Sequence, residues 1–212
     1  MLSAVILAAG GSTRMGGRTK ALLPIGGKTF LEAIVHNLDH DEIGEVFVVF
    51  GARHDEVTAR APATRARVLV NDEWEKGQLS SLRTGIRRLS AASEGVLFVP
   101  VDHPLVSRST YRALIDRWAR DRSKICVPLH KGQKGHPAIF PRDLYPRILE
   151  GELPGGARDI LNEQEGRVLL VPVADPGVIQ DIDTVEDYKR WIGKGGPRPF
   201  FLDKYPGGCI FY

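Results

Sequence analysis

The run Ala4-Val5-Ile6-Leu7-Ala8-Ala9-Gly10-Gly11-Ser12-Thr13-Arg14-Met15-Gly16-Gly17, followed three residues later by Lys20, decides how the rest of the chain is read. Residues 4–8 are uniformly apolar, the pattern of a short strand buried on both faces. The strand opens directly into small residues and glycines. Such a loop lets the backbone approach a ligand closely and turn successive N–H groups toward an anion. Arg14 and Lys20 add positive charge, which points to a polyphosphate. The spacing from Gly11 to Gly16 matches a Walker loop, but position 17 is Gly where Lys is required. A dinucleotide fingerprint counted from Gly10 fails at Ser12, which disfavours a redox nicotinamide or flavin protein. Read alone, the loop could also be an ordinary strand-to-helix connection.

Outward from the loop, strand and helix patterns alternate. Leu31, Ile34, Val35 and Leu38 recur at helical spacing, and Glu45-Val46-Phe47-Val48-Val49-Phe50 gives a second buried strand ending at Gly51. A short helix is expected over residues 55–60, a third strand at Val68-Leu69-Val70, and a helix with Leu79, Leu82, Ile86 and Leu89 on one face. Val96-Leu97-Phe98-Val99 is a fourth strand, and Tyr111, Leu114, Ile115 and Trp118 stripe the helix after it. The alternation predicts an α/β fold: three layers, with a mostly parallel, Rossmann-like central sheet and a site at the carboxyl ends of its strands.

The second half is less regular. Ile125-Cys126-Val127-Pro128 and Pro137-Ala138-Ile139-Phe140 read as strands flanking the basic turn Lys131-Gly132-Gln133-Lys134-Gly135, and residues 168–173 as another. Together they suggest a hairpin-like platform beside the main sheet. A helix over residues 184–191 closes the domain, with Thr184 and Asp187 spaced as in a capping box. The expected division is a domain of residues 1–192 and a tail of residues 193–212 rich in Gly, Pro and aromatics. The tail either is disordered or docks on the domain or on a second subunit.

Composition narrows the function. The chain has 212 residues with 42% hydrophobic content, enough for one full core. A net charge of +3, with basic and acidic residues interspersed, shows no nucleic-acid footprint. Cys126 and Cys209 are too few and too distant for a disulfide framework or zinc knuckle. With no apolar run of membrane-spanning length and no leader pattern, the expectation is a cytoplasmic protein without a membrane partner, and a monomer is open to it.

Two carboxylates stand where chemistry is expected. Asp102 ends the fourth strand within Pro100-Val101-Asp102-His103-Pro104, and Asp183 lies within Asp181-Ile182-Asp183-Thr184. Mg2+ commonly takes one or two protein carboxylates and completes its shell with water and substrate phosphates, so this pair suits it. Asp183 alone reads equally well as a helix cap.

Several of these motifs, in order, resemble a known family. Leu7-Ala8-Ala9-Gly10-Gly11-Ser12-Thr13-Arg14-Met15-Gly16 with Lys20 and Leu22-Leu23-Pro24, then Gly77-Gln78-Leu79-Ser80-Ser81-Leu82-Arg83, Asp102-His103-Pro104, Gly135-His136-Pro137, Gly156-Ala157-Arg158 and Asp181-Ile182-Asp183-Thr184, are similar to the nucleotidyltransferases of glycosyltransferase-A-like fold. More narrowly, they resemble the molybdenum cofactor cytidylyltransferase group. The resemblance implies that Leu7 to Met15 wrap a nucleoside triphosphate, with Arg14 and Lys20 on its phosphates and Asn71, Gln78 and Ser81 near base and ribose. It implies that Asp102 and Asp183 hold Mg2+, and that Arg14, Lys20 and Asp102 carry the catalysis. His136, Gly156 and Arg158 would face a phosphorylated acceptor, molybdopterin in the narrower group. Ala9, where the guanylyl branch has a second glycine, favours CTP. His103 stands where relatives often have Gln, and the basic Lys131 and Lys134 also depart from the pattern, so the acceptor is the more open question: a sugar phosphate or alcohol phosphate is the alternative within the same fold, and a non-catalytic nucleotide-binding protein is the alternative outside it. Without the family, His136 reads as a packed turn residue and Arg158 as a solvated one.

Overall fold

The computed structural model describes residues 1–11, 13–15, 18–51, 55, 57 and 64–193. Its centre is an eight-stranded sheet. β1 (Leu2–Ala8) pairs in parallel with β4 (Ile43–Phe50) on one side and β6 (Gly95–Pro100) on the other, and β5 (Arg67–Val70) extends the sheet beyond β4. The order β5-β4-β1-β6 is the expected Rossmann-like core. A small separate hairpin, β2 (Pro24–Ile25) with β3 (Lys28–Thr29), follows the glycine loop.

The layers follow from the period of two along each strand. In β1, Ala4, Ile6 and Ala8 join one apolar cluster while Val5 and Leu7 join the other. The first cluster is covered by α1 (Phe30–Asn37), through Phe30, Leu31 and Ile34, and by α3 (Arg108–Arg120), through Tyr111, Leu114, Ile115 and Trp118. The second is covered by α2 (Gln78–Ile86), through Leu82 and Ile86, together with α4 (Tyr145–Glu150) and α5 (Ala157–Glu163). α2 lies close to the sheet because Gly85 faces Val5; a Cβ there would meet Val5 Cγ1 at 2.4 Å. Leu89 lies beyond the end of α2 and packs from the following turn.

The expected platform beside the sheet is corrected by the structure. β9 (Ala138–Pro141) inserts between β6 and β7 (Ile125–His130), antiparallel to both, and β10 (Val168–Pro172) continues the sheet in parallel with β7. All four residues of β9 are buried, so only an interior position hydrogen-bonds its backbone and covers both its faces. The basic turn does form a hairpin: β8 (Gln133–Lys134) pairs with β7 across Lys131 and Gly132, whose φ of 48° and 82° suit the twist of a two-residue loop.

α6 (Val185–Gly193) closes the described chain. Its start is a capping box, in which the Asp187 N–H donates to Thr184 Oγ1 at 3.1 Å and the Thr184 N–H to Asp187 Oδ2 at 3.0 Å. Most of the helix expected over residues 55–60, and the tail of residues 194–212, lie outside the described residues. Among those described, no helix is long and apolar enough to cross a membrane.

Candidate active site

Parallel pairing brings the ends of β1, β4, β5 and β6 to one edge of the sheet, and the backbone then gathers the loops. The Val101 N–H donates to the Leu7 carbonyl at 3.0 Å, which sets Asp102 beside the start of the glycine loop. The Ile182 N–H donates to the Asp102 carbonyl at 2.8 Å, which draws Asp183 to the same place. Lys20 arrives on a short 3-10 turn, Lys20–Leu22, held by the buried Ala21.

These residues form one charged cluster. The Lys20 ammonium donates to Asp183 Oδ1 and lies 3.4 Å from Asp102 Oδ2, while Arg14 Nη1 lies 3.3 Å from Asp183 Oδ2. The Lys20 side chain is 15% exposed and that of Arg14 73%, so Lys20 is the sheltered charge and Arg14 the exposed one. The two aspartates thus converge on a single cationic position. Asp102 Oδ1 is buried without a hydrogen-bond partner, an orphaned oxygen with the chemistry of a metal ligand. Among the described residues no three His, Cys, Asp or Glu side chains cluster as a metal cage. A pair of carboxylates suits Mg2+, which keeps several waters and takes ligands from substrate phosphates.

A cavity of about 320 Å3 opens in front of the cluster, lined by Leu7, Ala8, Ala9, Gly10, Gly11, Arg14, Lys20, Gln78, Ser81, Asp102 and Asp183 from the expected set. Met15 does not line it; its side chain is buried in the core and anchors the loop from behind. Asn71 also stands behind the wall. Its amide donates to Ser80 Oγ at 2.8 Å and Ser81 Oγ at 2.9 Å, and its Oδ1 accepts from the Glu73 N–H at 3.0 Å. It positions Ser81 rather than facing the cavity. Ser12 lies outside the described residues.

A second cavity of about 760 Å3 adjoins the first and shares Gly77 and Gln78 with it. The expected His136, Gly156 and Arg158 all line it, with Lys134 and an apolar floor that includes Leu82, Phe98 and Phe140. Lys131 points elsewhere, at the exposed hairpin tip. His136 sits edge-on to Phe98, with ring centroids 5.3 Å apart, and 5.0 Å from the ring of His103. Burial, then His103, then Arg158 push its imidazole down to about 4, so it is neutral near pH 7. Its Nδ1 is buried with no hydrogen-bond partner. His103, the departure from the family pattern, packs against this ring and places its Nδ1 3.3 Å from the Gly177 carbonyl oxygen.

Residues 4–168 match the model of the MobA-like NTP transferase domain. The chain belongs to this nucleotidyltransferase family. Among its relatives are the nicotine blue oxidoreductase of Paenarthrobacter nicotinovorans, 32% identical with 90% of this chain and 96% of that one covered, and the molybdenum cofactor guanylyltransferase of Vibrio atlanticus, 28% identical over 74% and 77%. The fold is similar to a nucleotidyl transferase from Methanothermobacter thermautotroptrophicus, at 28% identity and TM-score 0.74 over 90% of this chain and 95% of that one. It is also similar to the Mycobacterium tuberculosis protein Rv0371c in complex with manganese, at 25% identity and TM-score 0.70 over 92% and 99%.

In this MobA-like chain the first cavity also takes in Trp74 and Glu75, which sequence reading passed over, and Gly77 and Val101, which it quoted within motifs without giving them a role. Gly77 precedes α2 with φ 91° and ψ −177°, a conformation open essentially to glycine alone, and it lines both cavities.

Proposed function

We propose that the protein transfers CMP from CTP to a phosphorylated acceptor, molybdopterin or a molybdenum cofactor, and releases pyrophosphate. The observation that carries this reading is the convergence of Lys20, Arg14, Asp102 and Asp183 at the mouth of a glycine loop, beside a second, larger cavity joined at Gly77 and Gln78. An oxygen of the acceptor phosphate forms a bond to the α-phosphorus, and the bond from that phosphorus to the β-phosphate bridging oxygen breaks in line. The acceptor phosphate is already ionised near neutral pH, so no protein base is assigned. Lys20 and Arg14 offset negative charge on the phosphate oxygens and the departing pyrophosphate. Asp102 and Asp183 would hold Mg2+, which when bound supplies positive charge to the same oxygens. The preference for cytosine rests on Ala9 alone. The test is pyrophosphate release with each of the four nucleoside triphosphates and Mg2+, against molybdopterin and a panel of sugar phosphates. Release with CTP and molybdopterin supports the proposal; release only with a sugar phosphate, or with none, rejects it.

A second reading is favoured by the relative named as an oxidoreductase: the same cavity would hold a nicotinamide nucleotide for hydride transfer. The two separate cleanly, because that activity would consume NADH or NADPH absorbance and release no pyrophosphate.

A further inference from the structure

The first cavity has two chemically distinct ends. The paired charges of Arg14, Lys20, Asp102 and Asp183 gather at Asp102, just past the end of β6, and at the turn before α6. Trp74 stands on the side of β4. A Cβ built on Gly51, the residue after β4, would fall 2.4 Å from Trp74 Cβ, 2.5 Å from its Cγ and 2.7 Å from the Ala9 carbonyl oxygen. Trp74 is therefore seated on the Gly51 backbone at the root of the glycine loop, a seat open only while residue 51 has no side chain. β4 and β6 flank β1, and the cavity that both groups line also takes in Leu7, Ala8 and Ala9 at the end of β1. Among the described residues lining this cavity, Trp74 is the one aromatic, and Gln78 and Ser81 line it as well.

We infer that the Trp74 indole is the platform on which the nucleobase of the bound triphosphate stacks, which rests on the first cavity being the nucleotide site. Every base has a π face, so stacking sets how tightly triphosphates are held without choosing among them. Choice falls to groups that hydrogen-bond the base edge, for which Gln78 and Ser81 provide both donors and acceptors.

Calorimetric titration of the full chain with CTP, GTP, ATP and UTP in the presence of Mg2+, with indole fluorescence read in parallel, tests this. Trp74→Ala should weaken every triphosphate the wild type binds by about 10- to 100-fold and leave the ratios between them within about threefold. Trp74→Phe should restore most of the affinity, and Trp74→Leu, apolar but without the same π face, should not. Inorganic tripolyphosphate, which has no base, should bind wild type and Trp74→Ala alike. Unchanged nucleotide affinity in Trp74→Ala, equal affinity in the Phe and Leu variants, or a parallel loss of tripolyphosphate binding would each overturn the stacking role. A wild-type protein that binds none of the four triphosphates would instead overturn the reading of the cavity itself.

Discussion

Removing the His136 imidazole should flatten the acid limb of the protein's stability curve. Burial, the neighbouring His103 and Arg158 hold this ring's pKa at about 4, against an ordinary 6.5 in the unfolded chain. Between those values the unfolded chain carries a proton that the folded one refuses. Stability from this group is therefore fully present above the unfolded value and is lost as pH falls toward the folded one. At 1.36 kcal/mol per pKa unit, the loss between about pH 7 and about pH 4 is about 3 kcal/mol. The structure gives the reason: Nδ1 is buried without an acceptor, and the ring has His103 and Arg158 as its charged or chargeable neighbours, both of which disfavour an imidazolium. His136→Leu removes the titration and leaves the other carboxylates and histidines in place. Urea unfolding followed by circular dichroism, repeated across that pH range, should show wild type losing about 3 kcal/mol more than the variant. Absolute stability at neutral pH will also change because packing changes, so the slope is the quantity to compare. Parallel slopes would mean that the ring is solvated in the folded state, and the burial assigned to His136 beside Phe98 and His103 would be wrong.

Other perturbations test the remaining parts of the site and its scaffold. Lys20→Ala should cost about two orders of magnitude or more in the rate of pyrophosphate release, the usual effect of losing one preorganised charge at a transition state, and an unchanged rate would reject its role. Asp102→Ala should abolish Mg2+-dependent release; activity that survives would remove Asp102 from the metal site. Asp175 accepts hydrogen bonds from the Ser107 N–H at 2.8 Å, Thr110 Oγ1 at 2.7 Å and the Gly177 N–H at 2.9 Å, so it ties the start of α3 to the turn before Gln180. Asp175→Ala should lower stability by about 1–3 kcal/mol in thermal melts without altering nucleotide affinity. Arg83 forks to the Ile148 carbonyl at 2.7 Å and the Gly151 carbonyl at 2.5 Å, pinning the loop that walls the second cavity. Arg83→Lys keeps the charge but loses the fork, and amide exchange over residues 151–156 should accelerate while α1 stays protected.

Where the chain obeyed local rules, the fold was readable. β1, β4 and β6 are buried on both faces, so each appears as a continuous apolar run that needs no partner information to recognise. α1 and α3 show their stripes because one face meets the sheet and the other meets water. β9 shows the opposite case. Its four residues read as a strand, but whether it joined the sheet or stood beside it depended on pairing with Gly95–Pro100, more than thirty positions earlier in the chain. α5 and the two-residue strands β2 and β3 are too short for any period to register.

The site divides along the same line. The glycine loop announced itself because glycines and cations were adjacent in sequence, whereas the meaning of Asp183 depended on what Thr184 was doing. An acid just before a helix satisfies the first-turn N–H groups unless another side chain does so. Here Thr184 and Asp187 close the capping box between themselves, which relieves Asp183 of that duty and leaves both its oxygens to Lys20 and Arg14. Trp74 failed to register for a related reason. A tryptophan ahead of a helix ordinarily signals core, and only the missing Cβ at Gly51, twenty-three residues earlier, seats this one at the wall of a cavity. Function in this chain is written less in its motifs than in which neighbour takes over a residue's default structural role.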